Sequence, residues 1–299
     1  MKRPPIKTLL FVPVVLFMLF YLSGVFMVAI DDRSVDALEL QEVPPEVIAL
    51  FGASGTAGDG ILKAALADPD IRKIHVITRR ATARIERGIA SGKVQMTRHM
   101  DYLDYEDIRE QISEVDTVYW AIGTSSLGVD KETYGRIHVD FPMQFLREWT
   151  AINHNPDLSF HFISSSDISE DSSAMWVRAK IRAEKSLFSF AEGSSLRVIA
   201  YRPDYIGSTR ETAHFGQNLM YWFFRPVGAA VKATEIGRAM LAVSARGSQI
   251  ENGTKISTAS IIRFSNGYCR WHHESRPSRS VPLAPEDALE DALEDALCE

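Results

Sequence analysis

VIALFGASGTAGDGILKAALADPDIRKIHVITRR, Val47 to Arg80, decides how this chain is read. VIALF is an apolar, partly β-branched run, the composition of a strand buried on both faces of a parallel sheet. GASGTAG follows, then the helix-prone DGILKAALA, then a second strand in KIHVITR. Strand, glycine-rich turn, helix and strand make one βαβ unit. Gly52, Gly55 and Gly58 punctuate the turn. A side chain at either of the first two would obstruct the tight turn or the close approach of a diphosphate. The third glycine lets helix and strand pack closely. The first N–H groups of a helix have no partner within it, so this turn reads as a phosphate-binding site. A glycine triplet alone is a weak signal, and its place between strand and helix gives it weight.

The second strand ends in Arg79-Arg80. A site for NAD would put Asp or Glu there to accept bonds from the ribose hydroxyls. Arginine instead offers charge and a fork of donors suited to a 2′-phosphate. The expected cofactor is therefore NADP(H), with NADPH preferred over NADH. A solvated basic loop is the alternative, since Arg84 and Arg87 follow.

Further strands are predicted at 94–102, 116–124, 158–166 and 196–207, with helical segments between them. Alternation of this kind argues for an α/β fold with a doubly wound, mostly parallel sheet. Ligands bind beyond the carboxyl ends of such strands, where the small residues of AIGT, Ala121 to Thr124, fall.

GASGTAG, the arginine pair, AIGT, HFISSS, the lysine of WVRAK and YRPDYIG occur in this order. In that pattern the chain resembles the atypical branch of the short-chain dehydrogenase/reductase superfamily. It is most similar there to the Tat-interacting-protein group of NADPH-binding proteins, over residues 46–263. The resemblance implies a Rossmann domain over 47–265 with a small C-terminal substrate region at 208–265. It implies that Gly52, Ser54, Gly55, Thr56, Ala57 and Gly58 line the pyrophosphate site. Arg80, with Arg79 beside it, would meet the 2′-phosphate, and Ala121 and Gly123 would lie against the cofactor. Ser164 or Ser165 would polarise the substrate, Lys180 would bond the nicotinamide ribose, and Arg202-Pro203 would lie near the nicotinamide.

One residue departs from the family pattern. Trp176, one helical turn before Lys180, stands where these enzymes carry a tyrosine. That tyrosine exchanges a proton as hydride moves, its pKa lowered by the neighbouring lysine. An indole N–H donates a hydrogen bond but has no usable acidity near neutral pH. Tyr134, Tyr201, Tyr205, His214 and Lys180 are the other groups that could supply a proton. Two functions stay open: an oxidoreductase acting on a small lipophilic substrate, or an inactive cofactor-binding sensor or scaffold that works through a protein partner. HFGQNLMYWFFRPVG, His214 to Gly228, is dense in aromatics. It reads as a substrate lid, as a core helix, or as a helix resting on a membrane.

Thr8 to Ile30 carries no charge. A helix of this length spans a hydrocarbon core of roughly 30 Å. Signal peptides have shorter apolar regions, about 7–15 residues, so the segment is expected to be an uncleaved single-pass anchor in an endomembrane. Lys2, Arg3 and Lys7 precede it and Asp31, Asp32 and Arg33 follow, which keeps the N-terminus cytoplasmic and sends the domain to the far side. Asn252-Gly253-Thr254 would then be a glycosylation site. A cytosolic cofactor pulls the other way. Residues 31–46 read as an acidic linker, and 266–299 as a polar, acidic tail in which His272-His273 is expected to lie in a solvated loop.

The whole chain has 299 residues, 45% hydrophobic and 24% charged, enough for one sizeable domain plus appendages. A net charge of −6 gives no basic footprint for nucleic acid. Two cysteines, Cys269 and Cys298, make neither a disulfide framework nor a CxxC metal pattern, and no metal site is expected.

Overall fold

The uncharged N-terminal run forms helix α1 (Ile6–Ile30) in the computed structural model, which describes residues 6–31, 44–209 and 215–275. Next come β1 (Val47–Phe51), α2 (Thr56–Ala67) and β2 (Lys73–Thr78). α3 (Ala83–Ala90) starts at Thr82, whose hydroxyl accepts from the Ile85 N–H, and leads to β3 (Val94–Arg98). The short α4 (Arg109–Ser113) leads to β4 (Thr117–Trp120). α5 (Lys131–Gly135), a π-helical stretch (Arg136–Asp140) and α6 (Phe141–Ile152) form one interrupted helical run before β5 (Leu158–Ile163). α7 (Met175–Ala191) precedes β6 (Leu196–Arg202) and β7 (Tyr205–Gly207). Then follow α8 (Phe215–Phe224), β8 (Ala230–Lys232), α9 (Ala233–Ser244), β9 (Lys255–Ser257) and α10 (Thr258–Ser275).

Among the described residues, a seven-stranded sheet runs in the order β3-β2-β1-β4-β5-β6-β9, every pairing parallel. β7 and β8 pair apart from it. The order reverses between β1 and β4, and this switch point is where such sheets open a crevice. Helices cover both faces. Ile61 and Leu62 of α2, Met240 of α9 and Ile261 of α10 share one core with Ile48, Leu50 and Val76. Phe145 and Trp149 of α6 and Leu187 of α7 share the other with Phe51, Val118 and Phe160. Burying a side chain such as Trp149 stabilises by about 2–3 kcal/mol. Its indole N–H donates to the Val115 carbonyl at 2.9 Å, so its polar end is satisfied.

Several expectations shift at element boundaries. The strand expected over 196–207 is two strands in different sheets, divided at Pro203, which lacks a ladder N–H. The strand expected over 116–124 stops at Trp120, which leaves Ala121–Thr124 outside the ladder. β8 and β9, three residues each, were not anticipated. α8 is helical but none of its residues is buried, which removes the core-helix reading. α10 runs on past residue 265, and His272 lies in it against Tyr268, ring centroids 4.3 Å apart, instead of in a loop. Asn252 is built into the fold: its Oδ1 accepts from the Val198 N–H and its Nδ2 donates to the Phe188 carbonyl at 3.0 Å. A glycan on that nitrogen would have to be fitted beside the Phe188 carbonyl it donates to. His214, most of the acidic linker and the repeat after residue 275 lie outside the described residues.

Candidate functional site

The phosphate turn is built by close backbone contacts. Gly52 has φ +80°, and a Cβ there would lie 2.6 Å from the Ala121 carbonyl carbon. A Cβ on Gly58 would come within 2.0 Å of the Gly52 oxygen. The Gly55 N–H donates to the Gly52 carbonyl at 3.0 Å and closes the turn. Gly55 is also the N-cap of α2 and offers no side-chain acceptor. Thr56, Ala57 and Gly58 thus open a helix whose first N–H groups are uncapped by any side chain, next to the half-buried Ser54. That geometry fits a dinucleotide diphosphate.

Asp59 places a carboxylate in the first turn of α2, where it would repel an anion. Arg84 neutralises it: the guanidinium donates to Asp59 at 2.9 and 3.4 Å, both side chains buried, and the Thr209 hydroxyl bonds the same carboxylate. The sequence pattern allowed Arg84 to be a solvated loop residue; the structure puts it in this pair. Arg79 and Arg80, by contrast, are exposed just beyond β2, and among the described residues neither guanidinium is held in an ion pair. Thr78 fixes the local backbone, its hydroxyl donating to the Arg80 carbonyl at 3.1 Å.

Ala121 and Gly123 continue the site from the end of β4. A Cβ on Gly123 would lie 3.1 Å from His138 Cε1. His138 comes from the π-helical stretch, a distortion often found at functional sites. Its Nε2 lies 3.3 Å from both the nitrogen and the oxygen of Thr124. Burial, reinforced by the Lys180 ammonium, lowers the His138 pKa to about 3, so the ring is neutral. The Tyr134 ring lies tilted against it, ring centroids 4.2 Å apart. Lys180, one turn after Trp176 on α7, donates to the Ile163 carbonyl at 3.0 Å. Burial lowers its pKa to about 8, against the opposing pull of Glu184. Gly52, Ala121, Gly123, His138 and Lys180 thus form one continuous rim at the carboxyl edge of the sheet.

Ser164 and Ser165 follow β5 and differ in their freedom. The buried Ser164 donates its hydroxyl to Glu184 at 2.6 Å, whereas Ser165 is half-buried. Glu184 is itself buried and ion-paired with Arg202, whose Nε donates to it at 2.8 Å. Arg202 and the buried Pro203 are therefore anchored through α7 at the end of β6. Trp176 is partly exposed in the first turn of α7. Tyr201 is no proton donor to this rim: it is fully buried and its hydroxyl bonds His161 Nδ1 at 3.0 Å, within a core network that continues to Ser244 and Tyr119. The Tyr205 hydroxyl donates to the Gln217 carbonyl at 3.1 Å.

Glu184, His138 and the Asp59–Arg84 pair escaped the sequence reading. Glu184 had one signal, its spacing of four from Lys180 on a predicted helix, but such pairs are usually solvated. A cavity of about 890 Å³ lies elsewhere, between α5 and the outer side of α7, lined by Lys131, Arg178, Arg182 and Lys185 among others. No rim residue lines it.

No protein-family model matches the chain. It is 27% identical over 154 residues to the leucinostatins biosynthesis cluster protein T of Purpureocillium lilacinum, a match that takes in 50% of this chain and 54% of that protein. The chain thus spans about half the length of the curated relative it matches. An oxidoreductase of the short-chain dehydrogenase/reductase family from Burkholderia thailandensis superposes with a TM-score of 0.58 at 16% identity, over 72% of this chain and 91% of that one. A 3-oxoacyl-acyl-carrier-protein reductase from Brucella melitensis gives 0.56 at 16% identity, over 73% and 97%. A UDP-glucuronic acid 4-epimerase from Bacillus cereus, solved in complex with NAD, gives 0.55 at 15% identity, over 71% and 77%. At such identities the likeness speaks for the fold. The chain has the doubly wound Rossmann fold of the short-chain dehydrogenase/reductases.

Proposed function

We propose that the chain is a membrane-anchored, NADP(H)-binding oxidoreductase of the atypical short-chain dehydrogenase/reductase type, acting on a small lipophilic substrate. The observation that carries this reading is the uncapped, glycine-lined start of α2, joined through Ala121 to a rim holding a buried lysine. A biosynthesis-cluster relative agrees with small-molecule chemistry. Pro13–Ile30, long and apolar enough to cross a membrane and with none of its residues buried, supports the anchor.

NADP(H), when bound, supplies hydride. The chain's own residues bind and orient. The N–H groups at the start of α2 hold the diphosphate, and Arg79 and Arg80 reach the 2′-phosphate. Lys180 bonds the ribose hydroxyls. Ser165 donates to the substrate oxygen, because the Ser164 hydroxyl is committed to Glu184. Reduction of a carbonyl also needs a proton. Trp176 cannot release one. Lys180, with a pKa of about 8, can release one near neutral pH from Nζ.

Arg80→Ala tests the cofactor assignment. A charge-assisted contact is worth about 1.5–3 kcal/mol, so NADPH affinity falls roughly 10- to 100-fold. NADH affinity should barely change. Equal losses for both nucleotides would remove the basis for NADP. A second reading, a cofactor-binding sensor or scaffold without turnover, is favoured by Trp176 alone.

A further inference from the structure

We propose that α8 lies in the lipid bilayer beside α1, so that the domain is sunk into one leaflet instead of tethered above it. The proposal rests on the membrane-anchor reading of α1. α8, FGQNLMYWFF, carries no charged side chain and buries none of its residues in the domain. Phe215 is 86% exposed, Trp222 75% and Leu219 61%, a concentration of apolar surface that water does not favour. Such a helix suits the boundary between headgroups and acyl chains.

The contact with α1 selects lipid as the occupant. The Tyr21 hydroxyl donates to the Phe223 carbonyl at 2.9 Å. The Phe17 and Phe223 rings stack with centroids 6.3 Å apart, and a Cβ on Gly24 would meet Val227 at 3.2 Å. Phe17, Tyr21 and Gly24 share one face of α1, and all three lie inside the apolar window Pro13–Ile30. At about 1.5 Å per residue, Tyr21 lies roughly 14 Å and Phe17 roughly 20 Å along the helix from Ile30. A bilayer that takes in that window must therefore take in Phe223 and its neighbours. The charges nearby are paired: Arg225 bonds Glu235 and the Ala230 carbonyl, and Asp31, at the end of α1, pairs with Arg263.

α8 is also tied to the chain beyond β6. The Gln217 carbonyl accepts from Tyr205, the Ser208 hydroxyl donates to the Gln217 side chain at 2.9 Å, and the Tyr221 ring packs on Gly207. α8 lies within residues 208–265, the stretch that the family resemblance assigns to the substrate, so a lipid-soluble reactant would enter along it.

The test uses the full chain in phosphatidylcholine vesicles, with lipids brominated on the acyl chains as quenchers. Wild type is compared with Trp222→Phe, a conservative change at an exposed position, and the difference isolates the Trp222 emission. The expected result is a blue-shifted Trp222 component that loses most of its intensity to brominated lipid and little to aqueous iodide. Quenching by iodide, in a protein that resists alkaline carbonate extraction, would overturn the α8 placement and leave the anchor standing. Protection from both quenchers would overturn it too, in favour of a covering protein surface such as a second copy. Extraction by carbonate would overturn the anchor reading, and this proposal with it.

Discussion

Trp176 and Lys180 face the same question from opposite sides: one has no usable proton, and the other is pushed toward losing its own. Trp176→Tyr should raise reductase activity above the level that Lys180 alone supports while NADPH affinity stays the same, measured by nucleotide oxidation and by fluorescence titration. A variant no faster than the native protein would show that Lys180 already supplies the proton at full rate without a phenol. For Lys180 the sign follows from its burial. Its pKa, lowered to about 8, leaves the ammonium charged below that pH and neutral above it. NADPH affinity should therefore fall as pH rises through this value, by up to about tenfold. Bound anionic cofactor favours the charged amine, so the break should lie higher in the complex than in the free protein. Lys180→Gln should flatten the profile between about pH 6.5 and 9.5. The lysine was legible from its spacing in WVRAK. Its partner network was not, because Glu184 looks like any helix-surface carboxylate until Arg202 and Ser164 converge on it.

Among the elements, α2 serves two purposes that its glycines separate. Gly58 faces the turn and Gly60 faces α9, where a Cβ would lie 2.2 Å from the Ala233 carbonyl carbon. Gly58→Ala should abolish nucleotide binding by forcing the turn open. Gly60→Ala should instead cost about 1–3 kcal/mol of stability through overpacking, with nucleotide affinity kept in the folded fraction. Thermal unfolding and titration on the same samples distinguish the two. The first βαβ unit was legible in Val47–Arg80 because buried parallel strands are continuous apolar runs and the turn chemistry is restrictive. β8 and β9 were not, since three-residue strands carry no periodicity to read. α8 was visible as an aromatic-rich segment, but its neighbours could not be deduced. Its contact with Tyr21 joins residues 202 positions apart.

At the scale of the molecule, α1 packs on α8 through Tyr21 and Phe223, and α8 is tied in turn to Tyr205 and Ser208, which follow β6. On the proposed anchor and cofactor, the basic N-terminus puts the domain on the far side of the membrane and a cytosolic nucleotide puts it on the near side. Asn252 is a poor reporter of which is right, since its amide is used by the fold. The proposed function requires the turn from Gly52 to Gly58 to hold a dinucleotide diphosphate. Calorimetric titration of the full-length, detergent-solubilised protein with NADPH and with NADH tests this most directly. NADPH should bind saturably and more tightly than NADH. A sample that unfolds cooperatively on heating, yet binds neither nucleotide, would contradict it.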